Sequence, residues 1–136
     1  MTLPLDIPKG GKVLGIGCDL AEVGRIQKAH ERHGQSFLDK VYTAAEQEYC
    51  LNQANPYPSL AARWAAKEAV AKAFTTGVSE HIGLLSIEIT KGSRSEPQVK
   101  LLGRGLKLLE QFGGTGIMVS LSHTNKIAMA VAVVMK

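Results

Sequence analysis

The amino-acid sequence predicts an α+β fold, in which a mostly antiparallel sheet packs against a long central helix and several shorter helices. Residues 59–74 carry small and apolar side chains at helical spacing, which predicts the central helix. Residues 117–122 and 127–134 are apolar runs joined by a short polar connection, which predicts an antiparallel pair of strands. Helical patterns dominate the first half of the chain and strand patterns the second, and this segregation indicates the α+β class.

The chain begins with a segment, residues 1–12, that we expect to be a flexible lead-in. It contains two prolines and two adjacent glycines, which favour irregular backbone. A single folded domain is predicted for residues 13–136.

The first predicted strand covers residues 13–20, where apolar residues alternate with Gly15, Gly17 and Asp19. Because side chains alternate along a strand, the two glycines and Asp19 share one face. A glycine face lets another backbone or a ligand approach closely, so we expect a close neighbour there.

Three helices are predicted in the first half of the chain. The first covers residues 21–33. Thr43 and Glu46 have the spacing of a capping box, which predicts a second helix starting beside them. Prolines then interrupt the pattern, and Ser59 is predicted to cap the central helix, which should end before the next glycine.

The second half of the chain is predicted to contain strands and one short helix. Strands are expected near residues 85–90 and 98–102, and a helix over residues 104–112 that ends at a pair of glycines. The strand at 127–134 is apolar on both faces. Both faces should therefore be covered, by helices on one side and, as one option, by another subunit on the other.

Length and composition exclude several classes of protein. A chain of 136 residues that is 45% hydrophobic can bury its own core. No apolar run approaches the ~18 residues of a membrane span, so no membrane partner is expected. The two cysteines are isolated, which argues against a disulfide framework or thiolate zinc site and predicts a reducing, cytoplasmic setting. The net charge of +4 favours anionic partners without choosing among them.

Two separated motifs supply acidic side chains. The segment Gly15-Ile16-Gly17-Cys18-Asp19 places one carboxylate on the first strand, while Glu68 and Lys72 share one stripe of the central helix. Two carboxylates and a lysine directed to one place would suit Mg²⁺ and a phosphate. Asp19 could instead cap a helix, and Glu68 and Lys72 could form an exposed ion pair.

Three further patterns bear on the ligand. Arg63 and Lys67 lie one helical turn apart and repel each other unless an anion is near, which suggests a phosphate-binding helix. The glycines of the first strand lack the third glycine of a dinucleotide-binding fingerprint. Ser122 and His123 are neighbours on a strand and point to opposite faces, so they cannot directly form a nucleophile and base pair.

The chain contains three motifs in a fixed order. Gly-x-Gly-x-Asp is followed by Arg25-Ile26, residues 63–73 read Arg-Trp-Ala-Ala-Lys-Glu-Ala-Val-Ala-Lys-Ala, and residues 120–124 read Ser-Leu-Ser-His-Thr. Their order and spacing, between residue 14 and about residue 134, resemble those of the holo-acyl-carrier-protein synthase type of phosphopantetheinyl transferase.

The resemblance implies an enzyme that transfers the phosphopantetheine arm of coenzyme A to a serine of an acidic acyl carrier protein. It implies Mg²⁺ as cofactor and adenosine 3′,5′-bisphosphate as product. Asp19 and Glu68 would hold the metal, and Asp19, Glu68 and Lys72 would be catalytic. Arg25 would face the carrier protein. The residues that would contact coenzyme A are Arg63, Lys67, Lys72, Thr76, Gly77, Pro97, Ser122 and His123.

The resemblance also implies a homotrimer, with Asp19 and Glu68 from one subunit and His123 from the next. The base that takes the serine proton is left open between Glu68, acting through a metal-bound water, and Asp19. Thr75 stands where the family often has glycine, Trp64 where phenylalanine is common, and Ile127 where an aromatic residue is common.

A second hypothesis belongs to a different class of function. A small basic domain could bind a nucleotide or nucleic acid without catalysis, and its binding would depend steeply on salt and not on the carboxylates. The transferase hypothesis expects no nucleic-acid partner.

Overall fold

The chain folds around one long helix that lies against a three-stranded antiparallel sheet. The computed structural model describes residues 11–136, so most of the predicted lead-in, residues 1–10, lies outside the described residues. The elements are β1 (Val13–Glu22), α1 (Val23–His33), α2 (Gln35–Val41), α3 (Ala44–Leu51), α4 (Tyr57–Ala73), β2 (Ile87–Lys91), β3 (Pro97–Leu101), α5 (Arg104–Phe112), β4 (Gly116–His123) and β5 (Ile127–Met135).

The larger sheet has the strand order β1-β5-β4, and both of its pairings are antiparallel. In β1 and β5, Asp19 lies opposite Ala130. Strands β2 and β3 form a separate antiparallel hairpin. The predicted α+β class and the predicted β4–β5 pair are confirmed.

The glycine face of β1 packs directly against the backbone of α4. A Cβ atom added at Gly15 would collide with the carbonyl of Ala73, and one added at Gly17 would collide with the carbonyl of Ala69. The expected close neighbour is therefore a helix backbone. Asp19, the next residue on this face, lies where the side chains of α4 can reach it.

Small side chains let α4 lie close to the sheet. Its inner stripe includes Ala66, Ala69 and Ala73, and β5 faces it with Ala130 and Ala132, all of them buried. Close packing of this kind leaves little room for rearrangement, so it holds the polar residues of α4 at defined positions relative to β1.

The outer face of the same sheet is apolar and exposed in the single chain. Ile16 and Leu20 of β1 are 68% and 66% exposed, and Met129 of β5 is 44% exposed. Of the two faces predicted to be covered, only the inner one is covered within the described chain. Among residues 11–136 no helix has both the length and the apolar character required to cross a bilayer.

Local capping signals are confirmed at two helices. Thr43 Oγ1 accepts a hydrogen bond from the Glu46 amide at 3.4 Å, and Glu46 Oε1 accepts one from the Thr43 amide at 2.8 Å. Helix α5 ends at Gly113, whose φ of 76° is in the left-handed region that favours glycine.

Several predicted boundaries were wrong. Strand β1 continues to Glu22, since Glu22 pairs with Ile127, and α1 therefore begins at Val23. The short helix α2 was not predicted. Helix α4 begins at Tyr57, and Ser59 Oγ accepts a bond from Arg63 instead of capping the helix. The strand predicted from residue 85 starts as a 3₁₀ turn, Leu84–Ser86.

Candidate functional site

Strand β1 and helix α4 bring an aspartate and a lysine into direct contact. Lys72 Nζ donates to Asp19 Oδ1 at 2.8 Å and to the carbonyl of Cys18 at 3.2 Å. The Lys72 side chain is 48% exposed and that of Asp19 is 16% exposed. The pair therefore lies at the edge of the sheet, open to solvent on the lysine side.

Glu68 lies one turn before Lys72 on α4 and interacts with the same pair. Partial burial and the negative charge of Asp19 raise the pKa of Glu68, while the positive charge of Lys72 opposes this. The hydrogen bond to Asp19 raises the pKa of Lys72. We call Asp19, Glu68 and Lys72 the Asp19 cluster: Lys72 contacts Asp19 directly, and the charges of both act on Glu68.

The donor set of the Asp19 cluster fits Mg²⁺. Two carboxylates that repel each other gain from a cation between them, and this repulsion contributes to the raised pKa of Glu68. Mg²⁺ typically takes one or two protein carboxylates and fills its remaining positions with water and substrate phosphate. Within residues 11–136 no three histidine, cysteine or acidic side chains meet as a metal cage would need.

A second set of predicted residues meets in a groove on the other side of α4. Arg63, Pro97 and His123 all line this groove, whose volume is about 480 Å³, and we call it the Arg63 pocket. Its wall also includes Tyr49 and Lys91, which the sequence patterns did not single out. None of the described residues that line it is acidic.

Arg63 is held at the base of this pocket by neutral groups. Its side chain is only 4% exposed, Nη1 donates to Ser59 Oγ at 2.8 Å, and the guanidinium lies 4.4 Å from the ring centroid of Tyr49. Among the described residues, Arg63 Nε has no hydrogen-bond partner. A buried guanidinium that no carboxylate neutralises is suited to attract an anionic ligand.

The Asp19 cluster and the Arg63 pocket are separate within one chain. Arg63 and Lys72 are nine residues apart on α4, which corresponds to about 13 Å along the helix axis. Asp19 and Lys72 border a different hollow, whose wall includes Met129 of the exposed sheet face. A single chain therefore presents two separate polar sites, the Asp19 cluster and the Arg63 pocket.

The structure places Lys67, a predicted coenzyme A contact, inside the core. Its side chain is completely buried and pairs with Glu46 Oε1 at 2.6 Å, and it donates to the carbonyls of Val41 and Leu84. Burial lowers the pKa of Lys67, and Glu46 opposes this shift. The anion that relieves the repulsion between Lys67 and Arg63 is thus a protein carboxylate, and no donor of Lys67 is left for a phosphate.

Ser122 and His123 lie on opposite faces of β4, as predicted. His123 faces the Arg63 pocket. Ser122 lies opposite Met129, on the outer sheet face. The structure therefore separates Ser122 from the pocket of its own chain.

Thr76 and Gly77 lie in the turn that follows α4, close in sequence to Lys72. Thr76 is exposed, and its Oγ1 donates to the Gly77 carbonyl at 2.9 Å. Thr75 has a φ of 66°, a left-handed conformation that costs a β-branched residue on the order of 1–2 kcal/mol. Glycine, which the resemblance leads us to expect at this position, would avoid that cost.

Arg25 is exposed on α1 and borders a third hollow of about 400 Å³. Apolar side chains form most of its wall, among them Phe37 and Ile26. Trp64 and Ile127, two of the three departures from the family pattern, also line it. Both substitutions keep the wall apolar.

The chain is similar to known proteins over most of its length. A family model described as the 4′-phosphopantetheinyl transferase superfamily matches residues 15–132. The holo-acyl-carrier-protein synthase of Chlamydia caviae is 48% identical over 118 residues, which cover 87% of this chain and 93% of that protein.

Solved structures agree with the sequence comparison. The holo-acyl-carrier-protein synthase of Neisseria meningitidis superposes with a TM-score of 0.86 at 30% identity, over 92% of this chain and all of that one. The Helicobacter pylori enzyme, solved in complex with coenzyme A, superposes with a TM-score of 0.78 at 29% identity, over 88% of this chain and 98% of that one.

Proposed function

This chain belongs to the 4′-phosphopantetheinyl transferase superfamily, within its holo-acyl-carrier-protein synthase family, and we propose that it carries out the Mg²⁺-dependent transfer of 4′-phosphopantetheine from coenzyme A to a serine of apo acyl carrier protein. Adenosine 3′,5′-bisphosphate would be the second product. The observation that carries the proposal is the Asp19 cluster, in which two carboxylates and a lysine converge at the end of the glycine face.

The proposed reaction is the attack of a serine hydroxyl on the phosphorus that bears the pantetheine arm. The new bond joins the serine oxygen to this phosphorus, and the bond to the bridging pyrophosphate oxygen breaks. Such a transfer needs alignment and stabilisation of negative charge above all. Lys72 supplies a positive charge beside the departing phosphate. Mg²⁺ held by Asp19 and Glu68 would supply charge neutralisation at the pyrophosphate.

We favour Glu68 over Asp19 as the group that takes up the serine proton. Asp19 Oδ1 already accepts a hydrogen bond from Lys72 Nζ at 2.8 Å, so this oxygen is occupied in the structure. The raised pKa of Glu68 brings its basicity nearer to that needed at neutral pH. A water between Glu68 and the serine hydroxyl would complete the path for the proton.

The complete site is proposed to lie between neighbouring subunits of a homotrimer. Within one chain, the Asp19 cluster and the Arg63 pocket open on different sides of α4. The exposed outer face of the sheet, with Ile16, Leu20 and Met129, is an apolar surface of the kind that subunits bury. Coenzyme A would then place its pyrophosphate at the Asp19 cluster of one subunit and its nucleotide against His123 and Arg63 of the next.

Mixed trimers provide the test of a shared site. Asp19→Ala and His123→Ala chains, refolded together in equal amounts, are expected to recover activity at about a quarter of the interfaces of a closed ring. The activity of each parent, refolded alone, is the baseline. Mixed trimers confirmed by mass spectrometry that stay as inactive as both parents would place the whole site within one chain.

The carrier protein is proposed to dock beside Arg25. This exposed cation borders a largely apolar hollow that also contains Leu20 and, as the one acidic residue among the described residues that line it, Glu22, so the positive charge lies on the Arg25 side of the apolar contact area. Electrostatic attraction to Arg25 would chiefly raise the association rate of an acidic partner.

Arg25→Ala is expected to raise the KM for the carrier protein about fivefold to tenfold and to leave the KM for coenzyme A almost unchanged. The defect should shrink as ionic strength rises, because salt already screens this attraction. Steady-state kinetics with each substrate varied in turn provide the measurement. An equal rise in KM for both substrates would indicate that Arg25 contributes to coenzyme A binding and is not specific to the carrier protein.

The direct test of the proposed function uses apo acyl carrier protein, coenzyme A and purified enzyme. With Mg²⁺ the carrier protein should gain the mass of one phosphopantetheine, and with a chelator it should not. A protein that binds nucleotide or nucleic acid with steep salt dependence but never modifies the carrier protein would support the alternative function. We also propose a cytoplasmic location, which is supported by the two cysteines, Cys18 and Cys50, being free thiols.

A further inference from the structure

Tyr49, on α3, has two cations against its aromatic ring. The guanidinium of Arg63 lies 4.4 Å from the ring centroid, and Lys91 Nζ lies 4.8 Å from it. Both distances fall within the range of about 6 Å in which a cation is attracted by the negative face of an aromatic ring. One side chain thus contacts cations from α4 and from the end of β2.

Within residues 11–136 neither of these two cations forms an ion pair with a carboxylate. None of the described residues lining the Arg63 pocket is acidic, and Arg63 makes its side-chain hydrogen bond to the neutral hydroxyl of Ser59. A carboxylate would hold Arg63 more strongly, but it would also neutralise the charge that an anionic ligand needs. An aromatic ring orients the cations and leaves their charge and their hydrogen-bond donors available.

We propose that Tyr49 is a positioning residue that orders Arg63 and Lys91 as a pair of cations for the phosphate groups of the nucleotide end of coenzyme A. This inference rests on the proposed function, because it assigns that ligand to the Arg63 pocket. Tyr49 acts through the two cations. Lys91 is an exposed side chain that would lose conformational entropy when the ligand binds. Contact with the Tyr49 ring orders Lys91 in advance and so reduces this entropy loss.

The test replaces the ring while the cations stay in place. Tyr49→Phe keeps the aromatic face, and we expect it to bind coenzyme A within about twofold of the wild type. Tyr49→Leu is expected to weaken binding about fivefold to tenfold, the range of one to two exposed cation–π contacts. Isothermal titration with coenzyme A and with adenosine 3′,5′-bisphosphate measures the effect, and kcat at saturating coenzyme A should be nearly unchanged.

A double-mutant cycle separates positioning from general loosening of the fold. Lys91→Met should weaken coenzyme A binding in the wild-type background and clearly less so in the Tyr49→Leu background, because the ring is what makes Lys91 effective. Tyr57→Leu serves as the matched control, since Tyr57 is also a partly buried tyrosine but does not line the Arg63 pocket. It should leave coenzyme A affinity unchanged.

The outcomes distinguish this inference from the proposed function. If the wild type neither binds coenzyme A nor modifies a carrier protein, the proposed function fails. If the wild type does both and folded Tyr49→Leu binds coenzyme A normally, the role of Tyr49 is refuted. Should Tyr49→Leu not fold, trifluorophenylalanine at position 49 keeps the ring shape and weakens its negative face. Affinity equal to that of Tyr49→Phe would then overturn the inference, and reduced affinity would support it.

Discussion

Glu68→Gln is expected to reduce phosphopantetheine transfer by at least about a hundredfold while the protein stays folded. The substitution preserves the shape of the side chain but removes one of the two negative charges proposed to hold Mg²⁺. It also removes the group proposed to take up the serine proton. Asp19→Asn should cause a loss of the same order, because it removes the other carboxylate and weakens the contact that holds Lys72. Carrier-protein modification at limiting and at saturating Mg²⁺ provides the measurement.

Glu68→Gln has a second expected effect, on stability. Folding raises the pKa of Glu68, so the native state binds this proton more tightly than the unfolded state does. The contribution of this group to the free energy of unfolding is therefore largest at low pH and is lost as pH rises through the pKa of the folded state. At low pH, where Glu68 is protonated, wild type and Glu68→Gln should be equally stable. At neutral pH and in the presence of a chelator that removes Mg²⁺, the variant should melt at a slightly higher temperature than the wild type.

Glu110→Gln on α5 is the matched control for both effects, since Glu110 is exposed. It should change neither transfer nor melting temperature. Near-normal transfer by Glu68→Gln or Asp19→Asn at limiting Mg²⁺ would show that the residue concerned does not bind the metal.

Lys67→Met is expected to destabilise the protein by about 3–5 kcal/mol. Glu46 would be left as an unpaired charge in a completely buried position, and the carbonyls of Val41 and Leu84 would lose their donor. A loss of this size is a large share of the roughly 5–15 kcal/mol that stabilises a typical domain. Urea unfolding at one fixed protein concentration measures it, because assembly would make stability concentration-dependent.

The same helix supplies the control. Lys72→Met removes a lysine that pairs with Asp19 but is 48% exposed, so its cost should stay within about 1 kcal/mol. Replacing Glu46 and Lys67 together by apolar residues should cost less than the sum of the single changes, since neither charge is then left unpaired. A stable Lys67→Met enzyme with a raised KM for coenzyme A would restore the role predicted from the sequence.

The sequence by itself determined features that depend on neighbouring residues or on strand and helix periodicity. The capping box of Thr43 and Glu46 and the left-handed Gly113 are formed within a few residues of chain, so their residue types are sufficient to predict them. The glycine face of β1 predicted a close neighbour, although only the structure identified it as α4. Family motifs then predicted the charged residues that meet in the Asp19 cluster.

Only the tertiary structure decided where the two other cations of α4 point. Arg63 and Lys67 are one turn apart and carry the same charge, and from the sequence both are candidates for a phosphate. The fold places the carboxylate of Glu46 opposite Lys67 and the ring of Tyr49 beside Arg63. The charge of Lys67 is therefore balanced by a carboxylate inside the core, while the charge of Arg63 has no carboxylate partner among the described residues and lies at the pocket. Glu46 precedes Lys67 by 21 residues and Tyr49 precedes Arg63 by 14, and no local sequence rule relates positions at such separations. The packing of α3 against α4 brings these partners together.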